Sequence, residues 1–201
     1  MNPSPKRIIL AITGASGAIL GIRTLELLKE AGFETHLIIS RAAQRTIISE
    51  TDWAVADVKA MASACYDPQD IGARIASGSF VTEGMLVVPC SIKTLSGVAN
   101  SYASNLVVRA ADVCLKEGRK LILAVRETPL HLGHLRLMRQ ATRAGAVIFP
   151  PVPVFYGRAQ TVDELVEDLA GRILLRMGIE NDHYHQWGGN EDPDAAVKSD
   201  Q

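Results

Sequence analysis

Four short apolar runs leave this chain of 201 residues few ways to fold. They are Arg7–Thr13, Thr35–Ser40, Gly84–Cys90 and Lys120–Val125, nearly unbroken and rich in Ile, Val and Leu. A strand with one wet face alternates apolar and polar residues, so a continuous short run is the pattern of a strand covered on both faces. Between the runs lie segments of helical period. Ile19, Ile22, Leu25 and Leu28 recur at helix spacing across about Gly17–Ala31, and Gly32 supplies a C-terminal stop. A polar helix begins near Arg41, Ala54–Ala64 reads as helical, and Tyr66-Asp67-Pro68 reads as a turn. Ser91–Ser101 reads as a loop entering a helix, Leu106–Lys116 and Leu132–Ala144 as helices, and Ala146–Phe149 as a short strand. Pro150, Pro151 and Pro153 then stiffen the approach to an amphipathic helix, Thr161–Met177, opened by the capping-box pattern Thr161-x-x-Glu164. Strand alternating with helix predicts an α/β fold: a parallel sheet with helices on both faces and right-handed crossovers. The length suits a single domain over 1–179, followed by a C-terminal segment, 180–201, whose last residues, Asn190–Gln201, read as a frayed tail.

Charge and composition narrow the function. The net charge is −1 and aromatic residues are 5%, which excludes a general nucleic-acid coat, a polybasic membrane binder and a base-stacking platform. The balance is uneven, however. Residues 103–179 carry eleven basic against seven acidic side chains, and 180–201 carry one against six. A basic second half within folded sequence points to a small anionic ligand. Three cysteines, Cys65, Cys90 and Cys114, form no CxxC pair, so the chain reads as reduced and cytoplasmic. Ile8–Ile12 is too short for a signal peptide, and no stretch approaches the roughly 18 apolar residues of a membrane span.

In a parallel α/β sheet the ligand sits beyond the carboxyl ends of the strands, where the strand order reverses. Gly14-Ala15-Ser16-Gly17 follows the first strand and lets backbone approach a phosphate at a helix N-terminus. The glycines give GxxGxxxG rather than GxGxxG, and Ser40-Arg41 stands where an NAD-binding chain has an acidic residue. A mononucleotide such as FMN is therefore favoured over NADP. Ser91, Ile92, Lys93 and Thr94 follow the third clear run and suit phosphate or flavin-edge hydrogen bonds, whereas Cys90 reads as a buried, inert thiol. Arg126 and Glu127 end the fourth run, offering bidentate phosphate contact beside a proton-transfer group. His131-x-x-His134 lacks further ligands at metal spacing, and no nucleophile elbow occurs.

Taken together, the stretches RIILAITGASGAILGIR, ETHLIIS, SGSF, PCSIKTLSG, RAADVCLKE, RETPLHLGHLRLM and GAVIFPPVPVFY closely resemble the flavin prenyltransferases, formerly called aromatic-acid decarboxylases. The resemblance runs from residue 7 to about 179 and implies a Rossmann-like, flavodoxin-type fold assembled as a homododecamer. It implies transfer of a dimethylallyl group from dimethylallyl phosphate to N5 and then C6 of reduced FMN, with no metal. The prenylated FMN would serve a partner decarboxylase, in ubiquinone synthesis or aromatic-acid decarboxylation. The alternatives are an FMN carrier or accessory protein and a flavin-dependent oxidative decarboxylase, whose catalytic histidine and asparagine-rich loop PCSIKTLSG does not supply.

By the same resemblance, flavin is bound at Gly14, Ala15, Ser16, Ser40, Ser91, Ile92, Lys93, Thr94 and Arg126, with Arg109 nearby. The allyl phosphate is held by Lys116, Arg126, Glu127, Tyr156 and Arg172, and Trp187 closes the site. Glu50, in SETDW, matches an active-site glutamate. Lys116, Arg126 and Arg172 would neutralise the departing phosphate. Glu127 and Ser16 would relay protons.

Overall fold

The apolar run nearest the N-terminus becomes the middle of the sheet. In the computed structural model, which describes residues 6–188, six strands pair in parallel: β1 (Arg7–Ile12), β2 (Glu34–Ile39), β3 (Ala64–Tyr66), β4 (Gly84–Cys90), β5 (Lys120–Val125) and β6 (Val147–Ile148). Their order is β3-β2-β1-β4-β5-β6. Leaving aside the three-residue edge strand β3, the order reduces to the flavodoxin arrangement, with the reversal between β1 and β4.

The helices are α1 (Ala18–Glu30), α2 (Arg41–Glu50), α3 (Val55–Met61), α4 (Ile92–Ala99), α5 (Leu106–Lys116), α6 (Leu132–Arg143) and α7 (Val162–Met177). They divide between the two faces as the strand period requires. Ile8, Leu10 and Ile12 point into one cluster with α1, α2, α3 and α7. Ile9 and Ala11 point into the other with α4, α5 and α6. Ile8, Leu10 and Ile12 are each fully buried, worth roughly 1.5–3 kcal/mol apiece. This two-sided burial explains why the runs are unbroken.

Two local expectations are corrected. Tyr66 ends strand β3 rather than opening a turn. With three residues, an exposed Cys65 and one neighbour, that strand has no apolar pattern to read. Ser91–Ser101 is not a loop at its start, because α4 begins at Ile92 with Ser91 as its cap. Gly97 within α4 lowers helix propensity but is required by packing: a Cβ there would meet Val108 Cγ2 of α5 at 2.8 Å. The short 3-10 turn Arg74–Ala76, which buries Ile75, carries no clear sequence signal. No helix among the described residues is long and apolar enough to cross a membrane. The expected frayed tail, Asn190–Gln201, lies outside the described residues.

Candidate functional site

Three helices, α2, α4 and α5, start with a polar cap, and all three caps line one cavity. Ser40 Oγ accepts the Ala43 N–H (3.1 Å) at the start of α2. Ser91 Oγ accepts the Thr94 N–H (3.4 Å) and lies 3.2 Å from Thr94 Oγ1 at the start of α4. Asn105 Oδ1 accepts the Val108 N–H (3.1 Å) at the start of α5. Ser40, Ser91 and Asn105 face a cavity of about 480 Å³ together with Gly14, Lys93 and Thr94. Capping uses one or two of the four free N–H groups at each helix start, so the remaining donors of three helix starts favour an anion. The volume lies within the range of small-molecule sites.

The loop between β1 and α1 is shaped by two glycines. Gly17 caps α1 at φ 94°, a left-handed conformation that disfavours a side chain. A Cβ on Gly14 would overlap Ala42 at the start of α2. Glu50 sits on this loop, its Oε2 accepting the N–H of Gly17 (2.7 Å) and of Ala18 (3.2 Å). Its carboxylate therefore caps α1 from the far end of α2, beside Ser16. Thr13, with no role assigned from sequence, braces the reversal: its hydroxyl donates to the Pro89 carbonyl (2.7 Å) and accepts the Ser91 N–H (2.8 Å).

A second, smaller cavity of about 170 Å³ lies on the other side of these loops. It gathers Ser16, Gly17, Pro89, Arg126, Pro151 and Leu169. Glu127, next to Arg126, is exposed and accepts the Thr128 N–H (3.0 Å). An open cavity of about 660 Å³ adjoins the first and shares Arg41 and Pro68 with it, but is lined by none of the flavin- or allyl-phosphate-binding residues expected from the resemblance.

Three expected cations are not brought to these cavities. Lys116 ends α5, whose start carries Asn105, so it lies about 16 Å along the helix from the cavity at 1.5 Å per residue. There it pairs with Glu117 and approaches Gly78 of the SGSF stretch. Lys116 precedes β5 and Arg126 follows it, so one copy of the chain cannot join both on a single phosphate. Arg109, one turn into α5, bonds Asp112 at 3.2 Å. Arg172 is half-buried on α7 one turn beyond Leu169 and outside the cavity lining. Tyr156 and Trp187, by contrast, meet directly, their rings edge to face at 5.3 Å.

The remaining candidates resolve into structural parts. Burial pushes the Cys90 thiol up to about 12, so it is no nucleophile near neutrality. His131 caps α6, its Nδ1 accepting the Gly133 N–H at 2.9 Å, and its ring lies against His134 at 3.6 Å. The missed lining residues, Asn105 among them, sit in segments with no chemical motif; the only available signal was the N-cap residue type.

A parallel sheet whose reversal gathers three capped helix starts around one cavity defines a mononucleotide-binding α/β protein. The flavoprotein family profile matches residues 1–174. Flavin prenyltransferase UbiX of Thauera aromatica is 53% identical over 190 residues, covering 94% of this chain and 98% of that protein. A crystal structure of AnUbiX (PadA1) in complex with FMN and dimethylallyl pyrophosphate superimposes with a TM-score of 0.92 at 45% identity, covering 94% of this chain and 100% of that one. A dodecameric FMN-dependent Ubix-like decarboxylase from Escherichia coli O157:H7 gives 0.89 at 46% identity, covering 91% and 100%. The chain belongs to the flavin prenyltransferase family, within the flavoproteins.

Proposed function

We propose that this protein transfers the dimethylallyl group of dimethylallyl phosphate to N5 and C6 of reduced FMN, producing prenylated FMN for a partner decarboxylase. The observation that carries this reading is the cavity at the strand reversal, bounded by the caps Ser40, Ser91 and Asn105 and floored by Gly14. Its donor set fits FMN: a phosphate matches the free N–H groups and the Ser40, Ser91 and Thr94 hydroxyls, and Lys93 adds a positive charge. Reduced FMN, when bound, supplies the nucleophilic nitrogen and carbon.

The chain's own groups handle charge and protons. Arg126 stabilises the phosphate that leaves as the allylic C–O bond breaks, and we assign the same role to Lys116 and Arg172, neither of which lines the cavity within one copy. Each such contact is worth roughly 1.5–3 kcal/mol before desolvation. Glu127 and Ser16 move the protons at N5 and C6, and Glu50 holds the Ser16 loop in place through Gly17 and Ala18. Pro89, Pro151 and Leu169 supply an apolar wall that keeps water from the allylic carbon. Since Lys116 stands at the opposite end of the sheet from Arg126, we infer that it serves a neighbouring copy's site, as in a dodecamer. We assign the protein to the cytoplasm and to ubiquinone synthesis or aromatic-acid decarboxylation.

The test is anaerobic incubation with reduced FMN and either dimethylallyl phosphate or its diphosphate, followed by mass spectrometry of the flavin. A gain of one five-carbon unit supports the reading. FMN that binds and returns unchanged with both donors would make the protein a flavin carrier instead.

A further inference from the structure

The segment after α7 folds back and is tied down by carboxylates of that helix. Asn181 Nδ2 donates to the carbonyls of Gly171 and Ile179, both at 3.0 Å. His183 Nδ1 lies 2.5 Å from Glu167 Oε1, and Glu167 is in turn paired with Arg23 of α1. His185 is held by the next residue of the helix: Asp168 Oδ1 accepts its main-chain N–H at 2.7 Å and lies 3.2 Å from its Nδ1. Two glycines, one in the helix and one before it, make room for this segment. A Cβ on Gly171 would meet the His183 carbonyl oxygen at 2.6 Å, and one on Gly157 would meet the His185 ring at 2.8 Å.

Asp168 is the unusual member of this set. It is 5% exposed, and its Oδ2 has no hydrogen-bond partner among the described residues. A buried carboxylate with an unsatisfied oxygen costs stability, so packing gives no reason for it at this position. Its contacts lead to an aromatic pair. The His185 carbonyl accepts the Tyr156 hydroxyl at 3.3 Å, and the Tyr156 ring meets Trp187. The residue after Asp168, Leu169, lines the cavity that holds Ser16 and Arg126.

We propose that Asp168 is a positioning residue: from inside α7 it fixes His185, and through His185 it holds the Tyr156–Trp187 pair, which the prenyl-transfer reading sets against the allyl donor. The pair then meets the allyl donor in one arrangement instead of many, which lowers the entropy lost on binding. The kinetic part of this inference rests on the prenyl-transfer reading; the contact part does not.

The experiment uses the full-length assembled protein in a Trp53→Phe background, which leaves Trp187 as the sole tryptophan. Asp168→Ala should increase acrylamide quenching of Trp187 with no substrate present. It should also raise KM for dimethylallyl phosphate by about tenfold, the size expected for one hydrogen bond to a charged group, with kcat nearly unchanged. Asp168→Asn keeps an acceptor for the His185 N–H and should recover most of both effects. His185→Pro removes that N–H from a segment outside every helix and strand. It should reproduce the Asp168→Ala result, and supplies the reading if Asp168→Ala does not fold. Unchanged quenching in both Asp168→Ala and His185→Pro overturns the inference, as does an unchanged KM in a protein that prenylates FMN. Altered quenching in a protein that does not prenylate FMN would uphold the contact and reject the reaction.

Discussion

Consider two variants, Lys116→Ala and Arg126→Ala, assembled together. Lys116 lies before β5 and Arg126 after it, so six strand residues, about 20 Å at 3.3 Å each, separate the two within one copy. A lysine side chain spans only about 6 Å, so both charges reach one phosphate only if two copies share the site. Removing either charge-assisted contact costs roughly 1.5–3 kcal/mol, a ten- to hundredfold loss of rate for each variant alone. In a randomly mixed assembly of equal parts, a site that takes Lys116 from one copy and Arg126 from another is intact about one time in four. Co-expression under two affinity tags, followed by quantification of prenylated FMN, should therefore recover about a quarter of the wild-type rate. A mixture no better than the mean of the two variants would refute the shared site.

Glu127→Gln should slow formation of prenylated FMN while leaving the FMN dissociation constant within about twofold, read by flavin fluorescence and mass spectrometry. Thr13→Val leaves the Ser91 N–H and the Pro89 carbonyl without their bridge and should cost about 1–3 kcal/mol in urea unfolding. Glu167 is held below its ordinary value of 4.5, chiefly by its hydrogen bond to Arg23. Its contribution to stability is complete above that ordinary value and is lost as the pH falls through the lower folded value. The stability gap between wild type and Glu167→Gln should thus close on acidification; a gap independent of pH would contradict the pairing. Burial pushes the Cys90 and Cys114 thiols to about 12, so maleimide at neutral pH should reach both only after unfolding.

Much of this molecule is legible in its sequence, for reasons that differ from part to part. The strands β1, β4 and β5 are covered on both faces, and burial of that kind leaves an unmistakable apolar run. Ser40 and Ser91 are readable because a cap acts on N–H groups two or three residues away. The bond from Glu50 to the Gly17 N–H crosses 33 residues, and that from Thr13 to Pro89 crosses 76, so no local pattern records either. The hold of Asp168 on His185 is hidden for the same reason. Lys116 is a different case. Its separation from Arg126 follows from the intervening strand alone, yet residue types matched to a family pattern carry no information about which copy of the chain supplies them.

The claim on which all of this depends is that carbon–nitrogen and carbon–carbon bonds are made to the flavin. Carbon-13 NMR of the flavin recovered after anaerobic turnover with labelled dimethylallyl phosphate addresses it most directly. Label joined to N5 and C6, with one phosphate released per flavin, is the outcome that upholds the claim. Label recovered only as free prenyl alcohol, with the FMN spectrum unchanged, would contradict it.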